Sequence, residues 1–155
     1  MTWNPTTPIT GAAQTGFTTP TYTIASDVAP DVNGKQHAVT ALGGTQAGVT
    51  AHSIQSPFTV TFVRPRVFKY LGKTNPVTGL LPNVPKNTWK ILIRKGVTPL
   101  AGQPASIMNI TITCDIPAGA DTADAANIRA AFSAAIGALS QQSAGIGDSA
   151  VSGIA

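Results

Sequence analysis

Apolar and polar side chains alternate residue by residue through the middle of the chain. The alternation stops at Pro117-Ala118-Gly119, after which apolar residues recur at helical spacing. A pattern of period two buries one face of a strand, and a pattern of period about 3.6 buries one stripe of a helix. Neither can serve the other's element, so strands and helices are segregated along this sequence. Segregation of that kind predicts an α+β fold.

The strand-forming part resolves into pieces. Residues 1–15 are rich in Thr, Pro and Gly and read as an irregular lead-in. Phe17 to Ala25 has strand propensity, interrupted at Pro20, and Lys35 to Leu42 returns after the turn cluster Pro30, Asn33, Gly34, making an N-terminal β-hairpin. Gly43 to Gly48 breaks the pattern. Phe58 to Tyr70 reads as a long strand, with Phe58, Val60 and Phe62 on one face and Thr59 and Thr61 on the other; Pro65 marks a bulge or an exposed side. Leu71 to Pro85 is a loop. Thr88 to Lys95 places Trp89, Ile91 and Ile93 opposite Lys90, Leu92 and Arg94, and Ile107 to Ile116 separates Met108, Ile110, Ile112 and Cys114 from Asn109, Thr111 and Thr113. Between these two strands, Gly96 to Pro104 projects as a flexible loop. The result is a meandering antiparallel sheet of about five strands.

The helical part begins at Asp121, with Asp121 or Thr122 as N-cap and Asp124 in the first turn. Ile128, Phe132, Ile136 and Leu139 form a narrow apolar stripe; Gly145 and Gly147 are expected to stop the helix, and Asp148 to cap a last short turn through Val151. One amphipathic helix with so narrow a stripe is a poor lid for a sheet of about five strands. A second copy lending its helix would complete the cover, so the sequence predicts an interlocked dimer with that stripe in its interface. The whole, 1–155, reads as one domain: lead-in and hairpin over 1–42, main sheet over 58–116, helices over 121–155.

Charge is scarce and unevenly placed. Only 10% of residues are charged, against about 25% in ordinary domains, which suggests a surface covered by other copies of the chain. Eight of the ten cations (Arg64, Arg66, Lys69, Lys73, Lys86, Lys90, Arg94 and Lys95) lie in a stretch without a single acid, and the net charge is +4. A field of this kind suits a polyanion such as a nucleic-acid backbone. Lys90 and Arg94 hold phosphates in this reading, while Thr59, Thr61, Asn109, Thr111 and Thr113 offer hydroxyls and amides to bases and sugars. Arg64 and Arg66 flank Pro65 and either join that face or end the strand.

Catalysis finds little support. There are two histidines, one cysteine and no Glu, no paired acids on adjacent strands, no phosphate-cradling glycine loop and no zinc spacing. No enzyme, cofactor, metal or small-molecule substrate is expected. Cys114 sits in an apolar row and reads as a small buried hydrophobe, consistent with a reducing compartment. No apolar run reaches the roughly 18 residues of a membrane span, and Met-Thr-Trp-Asn-Pro lacks the form of a signal peptide.

The run Asp121-Thr-Ala-Asp-Ala-Ala-Asn-Ile-Arg-Ala-Ala-Phe-Ser-Ala-Ala-Ile-Gly-Ala-Leu, followed by Ser-Gln-Gln-Ser-Ala-Gly-Ile-Gly-Asp-Ser, resembles the tail of coat proteins of single-stranded RNA bacteriophages, the leviviruses. The order of elements agrees over nearly the whole chain. That resemblance implies dimers whose sheets join into one, helices interlocked over the outer face, and an inner face that binds an RNA hairpin and represses translation. It also implies an icosahedral shell around the single-stranded RNA genome, assembled in the host cytoplasm. Gly96, Val97, Thr98, Pro99, Leu100, Ala101, Gly102, Gln103 and Pro104 would then form the loop making symmetry contacts. Segments 1–15 and 71–86 are longer than in the best-known members, and Asn and Thr stand where the last strand would carry a base-stacking aromatic. A non-viral RNA-binding regulatory domain is the second expectation; a fibre or surface-layer subunit is the third.

Overall fold

The computed structural model describes residues 2–154. The terminal residues of the expected domain, Met1 and Ala155, lie outside that range. Six strands follow one another: β1 (Ile9–Thr10), β2 (Thr18–Asp27), β3 (Gly34–Thr45), β4 (Phe58–Val63), β5 (Lys86–Val97) and β6 (Ser106–Pro117). They form one antiparallel sheet in sequence order, a plain meander. Three helices follow: α1 (Ala120–Ala123), α2 (Ala125–Gln141) and α3 (Ser143–Ser152).

Several boundaries differ from expectation. The lead-in contributes β1, which pairs with β2 through Ile9 opposite Tyr22. The strand expected over Phe58 to Tyr70 ends at Val63. Pro65 has no N–H for a ladder, and Arg64 makes one last bond, its N–H donating to Asn33 O. Gly96 and Val97, expected in the projecting loop, still belong to β5, opposite Ile107 and Ser106.

The helical tail is also divided differently. Asp124, with φ −147° and ψ 47°, interrupts it between α1 and α2. The caps are Gly119 and Asp124, not Asp121 or Thr122, and neither makes a side-chain cap bond. Gly145 and Gly147 do not stop a helix, because the break falls at Gln142 and α3 runs through both glycines. Asp148 is therefore mid-helix; its carboxylate accepts a bond from Thr15 Oγ1 (2.8 Å). Gln14 Nε2 donates to Ser143 O (2.8 Å) and Oγ (2.7 Å), tying α3 to the β1–β2 connection. Gln14 Oε1 sits where a Cβ on residue 147 would stand, so the Gln14 side chain packs directly against Gly147.

Residues opposite one another on antiparallel strands share a face, so the register sorts the sheet. One face carries His37 and Val39, Phe58, Val60 and Phe62, Trp89, Ile91 and Ile93, and Met108, Ile110 and Ile112. Register shifts between Thr18 and Thr21 and between Thr23 and Ile24 bend the β2–β3 ribbon. The bend brings Tyr22 edge-on to Phe58, two strands away, at 5.6 Å between ring centroids. Trp3 closes the same face by stacking on Phe62 at 5.1 Å, and Phe62 stacks on Trp89 at 5.5 Å. Each aromatic pair adds about 0.5–1.5 kcal/mol beyond its burial. Val39, 1% exposed, marks the centre of this core.

The cover stops short of β6. Met108 and Ile110 remain 42% and 46% exposed, and no residue of α2 or α3 is buried. Of the predicted apolar stripe, Ile128 and Phe132 are half-buried, beside a gap of about 480 Å³ that Cys114 and Ile116 line from the sheet side. Ile136 and Leu139 are exposed.

Candidate nucleic-acid interface

The second face of the sheet is polar, and the ladder arranges it in rows. Thr59, Arg94 and Asn109 stand opposite one another on β4, β5 and β6; Thr61, Leu92 and Thr111 form the next row; Val63, Lys90 and Thr113 form the third. Strand alternation alone produces this: Lys90 and Arg94 are four residues apart on β5, and Asn109, Thr111 and Thr113 are two apart on β6. Lys90 and the three β6 residues are exposed, and Arg94 is half-buried. A strip of two cations, an amide and two hydroxyls thus faces solvent opposite the apolar core.

Thr59 and Thr61 occupy that face but are not open to a ligand. They are 2% and 3% exposed. Thr61 Oγ1 donates to Gln36 Oε1 (2.8 Å), and Gln36 Nε2 donates to Asp27 Oδ2 (2.6 Å). The Gln36 amide is the main cause that holds the Asp27 carboxyl below its ordinary value, with the Val28 N–H second. Thr59 Oγ1 is buried without a partner. Both threonines form floor beneath the longer side chains.

The β2–β3 connection overhangs this floor. Pro30 and Asp31 face Arg94, Asn109 and Thr111 across a recess of about 390 Å³. Asp31 accepts from Asn33 N and Nδ2, both at 2.9 Å, and these bonds keep its carboxyl ionised below the usual range. The recess thus offers one cation, one carboxylate and neutral donors around a space open to solvent, an arrangement suited to polar ring edges.

Arg64 and Arg66 lie just past β4. They share a second recess, about 350 Å³, with Lys69, Lys86, Thr88 and Lys90. They therefore extend the cationic strip to the end of the sheet. Lys69 is fixed there by Asn87, whose Oδ1 accepts the Lys69 N–H (2.8 Å) and whose Nδ2 donates to Lys69 O (3.0 Å).

Lys95 belongs elsewhere. It stands opposite Phe58 and Met108 on the apolar face, with Nζ 5.3 Å from the Phe58 ring centre. Burial lowers its pKa. Its Nζ donates to Thr50 Oγ1 and Gly96 O, both at 3.0 Å. Ser56 Oγ donates to Gly96 O, and the Gly96 N–H donates to Pro57 O (2.7 Å). The β3–β4 connection thereby grips the root of the β5–β6 loop, a clamp that strand periodicity cannot reveal. Beyond the root, Thr98 to Pro104 are exposed, including Leu100 at 66%.

Among the described residues no group of three or more His, Cys, Asp or Glu side chains is placed to hold a metal ion. Among the described residues no helix is long and apolar enough to cross a membrane.

No family model matches the chain, and no curated protein matches it. Among solved structures, the chain is similar to the protein of the virus-like particle of bacteriophage ESE020. Identity is 59%, the TM-score is 0.96, and the match covers 99% of this chain and 100% of that one.

Proposed function

Because this chain belongs to the bacteriophage coat-protein family of the ESE020 particle, and is a structural capsid protein, we propose that it pairs through β6 and its helices and lines its shell with single-stranded RNA. Coat-family membership over the full chain sets aside the non-viral regulatory domain and the fibre subunit. The observation that carries the RNA reading is the division of the sheet into an apolar face and a face bearing Lys90, Arg94, Asn109, Thr111 and Thr113 in register.

The unfinished half of the apolar face supports pairing. Met108, Ile110, Ile136 and Leu139 are exposed in one copy, and β6 is a 12-residue edge strand. Edges of that length are normally paired or covered. A second copy laid edge to edge would continue the sheet, and its α2 would reach the apolar residues left bare. Both cationic strips would then fall on one continuous surface, facing the packaged genome.

On that surface Lys90 and Arg94 hold phosphates. Asn109, Thr111 and Thr113 meet bases and sugars of an exposed hairpin loop, and the recess under Pro30 and Asp31 takes a base edge. Binding of this kind at a translation start would repress translation. The loop from Thr98 to Pro104 meets neighbouring pairs in an icosahedral shell assembled in the host cytoplasm.

Expression of the unmodified chain, electron microscopy and the ratio of absorbance at 260 and 280 nm test the reading together. Particles rich in RNA are expected, with Arg94→Gln particles carrying less. A chain that stays monomeric at micromolar concentration, or particles free of RNA, would overturn it.

A further inference from the structure

Two recesses meet at the end of the sheet where β4 stops and β5 begins, and Arg64 lines both. The larger, about 550 Å³, is walled by Trp3, Phe62 and Trp89, with Lys35 and Arg64 beside them. Its aromatic rings are layered, Trp3 on Phe62 and Phe62 on Trp89. The smaller holds Arg64, Arg66, Lys69, Lys86 and Lys90 and has no acidic residue in its lining. All five of these cations are exposed. Trp3 Nε1 is buried and has no hydrogen-bond partner.

An occupant that suits both recesses needs a flat apolar ring and a run of negative charge. An apolar peptide lacks the charge, and a plain polyanion lacks the ring. A single-stranded nucleotide segment has both, and stacking platforms beside cationic grooves are how proteins hold such strands. The central strip, with Asn109, Thr111 and Thr113, has no ring to stack on.

We infer that single-stranded RNA turns over the end of the sheet at Arg64, with a base against the Trp3–Trp89 wall and its phosphates on Arg64, Arg66, Lys69 and Lys86. This rests on the reading that the chain binds RNA and adds a sequence-independent site outside the central strip.

The chain has two tryptophans, and both line this recess, so intrinsic fluorescence reports on it. Purified chain is titrated with a short single-stranded oligouridylate at several salt concentrations, while gel retardation follows total binding. The oligonucleotide quenches the fluorescence saturably; inorganic triphosphate competes with it but does not quench. Arg64→Gln and Lys86→Gln each lower the salt slope by about 1, and Trp3→Leu weakens binding roughly 5- to 100-fold, with partial recovery in Trp3→Phe. Retardation without quenching, or Arg64→Gln with unchanged slope and affinity, overturns the inference. If Arg94→Gln and Asn109→Ala abolish retardation while the Arg64 and Trp3 variants bind normally, this site fails and the central strip stands. If the unmodified chain retards no RNA, both fail.

Discussion

Gly96→Ala tests the clamp at the root of the β5–β6 loop. A Cβ at residue 96 would lie 2.5 Å from Ser56 Oγ, 2.7 Å from Ser56 Cα and 3.0 Å from Ser56 Cβ. Non-bonded carbons settle at about 3.5–4.0 Å, so the two segments must part by roughly 0.8 Å. The hydroxyl can rotate away, but the backbone of Ser56 cannot. Parting stretches the bond from Gly96 N–H to Pro57 O, now 2.7 Å. Overpacking of this sort costs about 1–3 kcal/mol and a weakened hydrogen bond about 0.5–1.5 kcal/mol, so a loss of about 2–4 kcal/mol is expected. At about 2–4 °C per kcal/mol for a chain of this size, Tm should fall by roughly 5–15 °C. Thermal unfolding of unassembled protein measures it, and particle yield by electron microscopy reads the effect on the loop. Gly72→Ala is the control, since nothing lies within 4 Å of its added Cβ. Adding Ser56→Gly should restore only part of the loss, because the new methyl still meets the main chain at residue 56. A Gly96→Ala protein that melts within a degree of the parent and yields normal particles would refute the clamp.

Phe132→Asp and Ile136→Asp should shift sedimentation of the unassembled protein from paired to single copies while leaving its circular dichroism largely unchanged; an undisturbed pair removes the helices from the interface. His52→Ala deprives the Phe58 N–H of its acceptor, now Nδ1 at 3.0 Å, and should cost about 1–3 kcal/mol in denaturant unfolding; no change in midpoint would mean that water replaces the imidazole. Gln36→Leu removes the main hydrogen bond lowering the Asp27 pKa. A lowered carboxyl pKa stabilises the fold above the unfolded-state value and loses that contribution as pH falls through the folded-state value. The variant should therefore lose stability at neutral pH relative to the parent, with the gap narrowing as both are taken into acid. A gap that stays constant across that range assigns the loss to Thr61 packing alone.

The central strands were legible because burial on one side only forces strict alternation, so Trp89, Ile91 and Ile93 declared their face and Lys90 and Arg94 theirs. Alternation also places Lys95 with the apolar set, yet charge alone suggests the opposite, and only the Phe58 ring and the Ser56 and Gly96 oxygens explain its position. Accessibility was not legible. Thr59 and Thr61 have the right parity, but their depth is decided by Gln36 and by the taller side chains around them. Arg64 to Tyr70 kept an apolar rhythm past Val63, whereas Pro65 ended the ladder. Gly145 and Gly147 looked like a stop because a helical glycine costs about 1 kcal/mol, yet α3 runs through both and is tied at Ser143 to Gln14, more than a hundred residues earlier. The Trp3–Phe62–Trp89 stack likewise joins residues that no local window contains.

The bare outer margin of β6 has a consequence for the life of the chain before any shell exists. A freshly synthesised copy offers the outward-facing backbone groups of a twelve-residue strand to whatever hydrogen-bonding partner arrives first. Correct docking and indiscriminate sticking are then rival second-order processes, and both accelerate with abundance. The advantage goes to the copy whose neighbour already presents a matching profile, so synthesis of many chains from one message, close together, favours the right encounter. Slow, dilute production should therefore lengthen the time each copy spends with that margin unpaired, even though every individual fold is sound.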